Sequence, residues 1–168
     1  MRSTRSDGTG TGHVVFGPQV RGFNYDGIAV HGDDEVNFNA FDDELRGVHV
    51  AGDVDTDGFA EIVCAPGPGP LNPAQFKGYD YDATLIAPVP GYDVTPFTTL
   101  FGGHVGQGDV AAVGSDALLA SEGSDLTAIG SIVTFAYAGG VLTQVGPSFA
   151  PFAGTFFGVT VAGADLGY

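Results

Sequence analysis

Basic residues are scarce: five lysines and arginines stand against twenty aspartates and glutamates, a formal charge of −15 over 168 residues. So acidic a surface repels phosphate backbones and anionic headgroups, which argues against nucleic acid as a partner and favours cations. Cysteine is rarer still. Cys64 stands alone, so no intramolecular disulfide can form. No histidine or basic residue adjoins it in Ile62-Val63-Cys64-Ala65 to lower its pKa, and it is expected to be a buried structural thiol. No apolar run approaches the roughly 18 residues that cross a bilayer, so no membrane insertion is expected. The opening MRSTRSDGTGTG carries arginines but no apolar h-region, so it does not read as a signal peptide. Helix signals are scarce as well.

What the chain has in quantity is glycine, with 28 residues, and proline, with 10. They follow no Gly-X-Y period, so they read as turn residues between many short strands. An apolar share of 43% supports one globular repeat domain over 1–168. Self-similarity then sets the architecture. Phe41, Phe97 and Phe152 each precede a glycine (Gly47, Gly103, Gly158) by six residues. Phe23-Asn24-Tyr25, Tyr79-Asp80-Tyr81 and Phe135-Ala136-Tyr137 recur at intervals of 56, and Gly-Asp-Val at 52–54 returns at 108–110.

Each copy carries four strand signals, which in the middle copy cover Gly47–Val54, Phe59–Pro66, Gln75–Tyr81 and Thr84–Val89. Asp26-Gly27 and Gly139-Gly140 are hairpin turn pairs between the third and fourth strands. The fold expected is all-β and β-propeller-type, with three four-stranded blades of about 56 residues. Blade 1 covers 8–46, blade 2 covers 47–102 with the loop described next, and blade 3 covers 103–156. A strand at 157–164 is expected to complete blade 1. Three blades make an unfavourably tight closed ring, so a homo-oligomer is expected, with two chains forming a six-blade ring, unless the chain is a segment of a longer propeller. The aromatic pairs keep period-two spacing and are expected to pack between blades.

The segment from Asp53 to Glu61 places carboxylates at positions 1, 3, 5 and 9 (Asp53, Asp55, Asp57, Glu61) with Gly58 at position 6. Alternate aspartates wrap oxygens around one centre, the glycine permits the sharp turn, and the Phe59 carbonyl can add a ligand. Hard oxygen donors without His or Cys favour Ca²⁺. Strand signals on both sides and the lack of a Glu at position 12 rule out an EF-hand.

The loop DVDTDGFAEIV, the APGPGP that follows it and the Phe101-Gly102-Gly103 and Phe157-Gly158 starts together resemble the FG-GAP (VCBS-type) repeat of integrin α-subunit-like β-propellers. The resemblance spans the chain in period and is strong in the middle copy. It implies a calcium ion joining the first two strands of a blade in a structural role. In the third copy only Asp109 survives among the side-chain ligand positions of 109–117.

The reading that results is an extracellular or cell-surface calcium-binding module with a non-catalytic adhesion role toward a protein or glycan. The alternative is a structural protein polymerising into a filament or surface layer through blade pairing. An enzyme is disfavoured: His13, His31, His49 and His104 show no metal-ligand or triad-like spacing, and no HExxH, GxSxG or phosphate loop occurs. The acidic stretches 33–35 and 42–44 read as a solvated loop, while Arg21 and Lys77, 56 apart, are expected to lay their stems over aromatic neighbours.

Overall fold

The computed structural model describes residues 3–5, 13–15, 17–42, 46–52, 61–109, 117–152, 154 and 156–163. Among them there is no helix, and every ladder is antiparallel. Strands β5 (Val48–Gly52), β6 (Ile62–Pro66), β7 (Phe76–Tyr81) and β8 (Ile86–Val94) form a four-stranded meander in chain order. A second meander follows from β9 (Gly103–Gly108), β10 (Ala117–Glu122), β11 (Ile132–Ala138) and β12 (Val141–Gln144). Ahead of these stand the hairpin β3 (Gln19–Tyr25) with β4 (Val30–Asn39) and the short pair β1 (Ser3–Arg5) with β2 (His13–Val15). The chain is thus all-β.

The repeat is written into the backbone. In β3 the register slips between Arg21 and Gly22, and in β7 it slips between Lys77 and Tyr79, so the two bulges fall at matching places. The cause is a glycine beneath a large side chain. A Cβ at Gly22 would come within 2.7 Å of Val36, and one at Gly78 within 2.7 Å of the Tyr92 ring. Val36 and Tyr92 are themselves 56 apart. The third-to-fourth strand turns repeat too. Asp26 Oδ1 accepts from the backbone N–H of Ile28 and of Ala29, both at 2.9 Å; Asp82 Oδ1 accepts from Thr84 at 2.9 Å and Leu85 at 2.8 Å. These donors hold both carboxyls below the usual range, for Asp26 through Ala29 first and for Asp82 through the Thr84 side chain first.

β8 extends five residues past the Val89 expected from sequence. Pro88 and Pro90 fit within it because β8 is an edge strand, where a missing N–H costs no ladder bond.

Two apolar layers hold the sheets face to face. Val63, Ala65, Phe76 and Tyr92 of the middle sheet meet Val105, Leu118, Ala120, Val133 and Phe135 of the last one. Val20, Val36, Ala40 and Phe41 around the first hairpin meet Cys64 and Tyr79 on the opposite face of the middle sheet. The middle sheet is buried on both sides, and its second strand reads accordingly as the unbroken apolar run Ile62-Val63-Cys64-Ala65. Cys64 is fully buried, and burial pushes its thiol up to about 12, which makes it a core residue and not a nucleophile.

Residues 157–163, expected as a strand, form no regular strand and run beside β9 and β10. Phe157 N–H donates to Asp125 O at 3.2 Å, Ser121 Oγ donates to Val159 O at 2.5 Å, and Gly106 closes on Ala162. The contacts are those of a strand start packed on the preceding sheet. The chain enters this segment as it enters β9: Phe101 and Phe157 take φ of 71° and 83°, and the glycine after each takes 71° and 73°. A left-handed Phe is strained. Both are held by the same bond, since Phe101 N–H donates to Gly69 O at 3.0 Å, and Gly69 and Asp125 are 56 apart.

Candidate metal-binding junction

The proposed ligand loop is the connection between β5 and β6, the first two strands of the middle sheet. Gly52 pairs with Ile62 as the last rung of that ladder, so the nine residues 53–61 close the hairpin. Asp53, Asp55, Asp57 and Phe59 lie outside the described residues. Glu61 lies inside them and is only 3% exposed.

Its surroundings are polar. The Tyr92 hydroxyl and both polar atoms of the Gln107 carboxamide are buried without a hydrogen bond of normal geometry, although the two side chains face each other across the junction of the middle and last sheets. Burial raises the Tyr92 phenol far above its usual value, and the Glu61 charge adds to the shift. Tyr92 and Gln107 therefore mark a buried polar spot beside Glu61 at the base of the loop. Among the described residues no cluster of three or more His, Cys, Asp or Glu could hold a metal ion.

In the last sheet the matching connection runs from β9 to β10, and its residues 110–116 lie outside the described residues. Of the other acidic stretch, Asp33 accepts from the backbone N–H of Glu35 at 3.1 Å and from Asn24 at 3.3 Å, and Glu35 accepts from Tyr81 at 2.6 Å. Asp43 and Glu44 are outside the described residues. The two cations meet aromatic neighbours, but with their charged ends, and not only their stems, over the rings: the Arg21 guanidinium is 5.9 Å from the Phe23 ring centre, and Lys77 Nζ is 5.1 Å from that of Phe41.

One grouping was missed in the sequence. His49 of β5 and His104 of β9 come together with ring centres 4.6 Å apart and planes at 56°. Both are half-buried, and desolvation holds both below the usual histidine value, with the His49 charge adding to the effect on His104. Two imidazoles alone fall short of a closed zinc site. The 56-residue interval pairs His49 with Val105 and hides the match; it is the backbone that aligns the two, each histidine standing two residues after a left-handed glycine, Gly47 and Gly102. Spacing between histidines could not reveal it.

These features define an all-β protein of stacked antiparallel meanders with a carboxylate-rich loop at one strand junction. No family model, no curated protein and no solved structure matches the chain.

Proposed function

We propose that the protein is a calcium-stabilised, non-catalytic binding module of propeller type that works outside the cell and engages a protein or glycan partner. The observation that carries this reading is the buried Glu61 at the foot of a nine-residue hairpin whose remaining ligand positions are Asp53, Asp55, Asp57 and the Phe59 carbonyl. Calcium at this junction ties β5 to β6 in the sheet that is packed on both faces, so its effect is on the stability of the whole stack. A ligand bound at a hundred times its dissociation constant adds about 2.7 kcal/mol to the folded state.

Thermal melting of the full chain with calcium and then with excess EDTA tests the reading. The melting temperature rises in calcium, and Glu61→Gln removes most of that rise while the metal-free fold persists. Identical melting in the two conditions would overturn it. Magnesium, which demands a tighter octahedral shell, is expected to substitute poorly.

A further inference from the structure

Acidic connections and uncharged apolar ones sit at opposite ends of the strands in the middle and last sheets. In each antiparallel meander the first connection lies at one end and the second at the other. The first connections, 53–61 and 109–116, hold Asp53, Asp55, Asp57, Glu61, Asp109 and Asp116. At the other end stand 67–75, 95–102 and 123–131, whose only charged residue is Asp125. It is half-buried, and its Oδ1 accepts from the N–H and the hydroxyl of Thr127 in its own turn, at 2.7 and 2.8 Å. Glu122, at the end of β10, is buried and accepts from Ser131 N–H at 3.0 Å.

These three connections form one platform. Phe101 N–H donates to Gly69 O at 3.0 Å, Gly102 N–H to Asn72 O at 2.9 Å, and Gly123 N–H to Gly102 O at 3.0 Å. Two of its turns are the same turn one period apart: Asn72 N–H closes on Gly69 O at 3.0 Å, and Ala128 N–H on Asp125 O at 3.2 Å. Each turn displays a leucine, Leu71 at 84% exposure and Leu126 at 73%. Leu100 and Ile129 beside the turns are exposed as well. Covering this platform disturbs few backbone hydrogen bonds to water, since Pro68, Pro70 and Pro73 have no N–H to desolvate.

We propose that this neutral end docks on the same end of a second copy of the chain, about a two-fold axis that sets the Leu71 and Leu126 turns of the two copies against each other. Charge selects the occupant. At −15 each, two copies repel, and this approach keeps the acidic first connections at the far ends of the pair. No lysine or arginine stands in the three connections to hold a lipid headgroup or an acidic partner. Uncharged apolar turns that meet their own kind bury no unpaired charge. The contact is isologous, so it closes at two chains. It crosses strand ends away from the 53–61 connection and does not rest on the metal reading.

Sedimentation of the intact chain in calcium tests it. The wild type is expected at twice the monomer mass with nothing larger. Leu71→Asp and Leu126→Asp each enter a two-fold contact twice, and each is expected to weaken the dimer by about tenfold or more. An unchanged melting temperature of the dilute variants shows that the fold is intact. Leu85→Asp, at an exposed site in the β7–β8 turn of the opposite end, is expected to leave the dimer unchanged. Added salt is expected to tighten the dimer, because it screens the repulsion and breaks no ion pair in the contact. A wild type that stays monomeric at its highest soluble concentration overturns the proposal, and so does a dimer that survives both leucine substitutions or dissolves in salt. A monomer that cosediments with phosphatidylcholine vesicles overturns it too, in favour of a lipid surface.

Discussion

The junction between the middle and last sheets and the outer face of the first sheet are built from equivalent residues with opposite fates. Phe135 is sealed under Val63, Phe76 and Tyr92, while Phe23, 112 positions earlier in the same strand position, lies open to solvent. Composition and pattern are alike in the two places, so burial here follows from whether a neighbouring sheet is present. An aromatic pair at period two identifies a surface meant for packing; it does not identify what packs on it.

That contrast breaks most visibly on truncation. Phe76→Ala, at a fully buried site, is expected to cost about 3–5 kcal/mol, whereas Phe23→Ala in the dilute monomer should stay within about 0.5 kcal/mol. Urea melts of the two variants measure the difference, and equal losses would mean that Phe23 is covered within its own chain.

Next in size is the glycine beneath the bulge. Gly78→Ala drives a Cβ into the Tyr92 ring and is expected to destabilise by about 1–3 kcal/mol. Gly22→Ala meets Val36 in the same way. Because the described residues cover the Gly22 hairpin on one side only, it can relax outward, and its loss should be the smaller of the pair. A reversed order would contradict the one-sided packing of the first sheet.

Acid sharpens the comparison further. The His49 and His104 pKa values are depressed in the folded state from an ordinary 6.5, so the unfolded chain takes up protons first as pH falls. Their contribution is complete above about pH 6.5 and is lost as pH drops through the lowered folded values. His49→Phe with His104→Phe should flatten the melting temperature over that window, and an unchanged pH profile would show that the pair titrates normally.

The smallest effect concerns two tyrosine hydroxyls. Tyr92→Phe removes a buried hydroxyl with no partner and should be neutral or slightly stabilising; Tyr137→Phe gives up the bond to Pro90 and should cost about 0.5–1.5 kcal/mol. A loss on Tyr92→Phe as large as that on Tyr137→Phe would reveal a hydrogen bond at Tyr92, for example to an ordered water.

Much of the fold was legible in the chain. The 56-residue interval placed Tyr79/Tyr81 and Phe135/Tyr137 on packing faces, and Asp26-Gly27 marked its hairpin, because turn chemistry and strand alternation are local properties. The extension of β8 beyond Val89 was not legible, since two prolines are tolerated only on an edge and edges are defined by neighbours. Of the candidate site, the carboxylate spacing from Asp53 to Glu61 was plain, while the burial of Glu61 beside Tyr92 and Gln107 was not.

The sequence by itself determined that this protein is a series of short strands with one carboxylate-rich loop, because period, turn residues and charge are written in the order of the chain. Only the tertiary structure decided which copies cover one another, that His49 meets His104, and that Phe23, Tyr25 and Phe152 are left exposed. Those outcomes depend on the stacking of sheets that are distant in sequence, and stacking is settled by surface area removed from water between whole sheets, not by any residue's own preference.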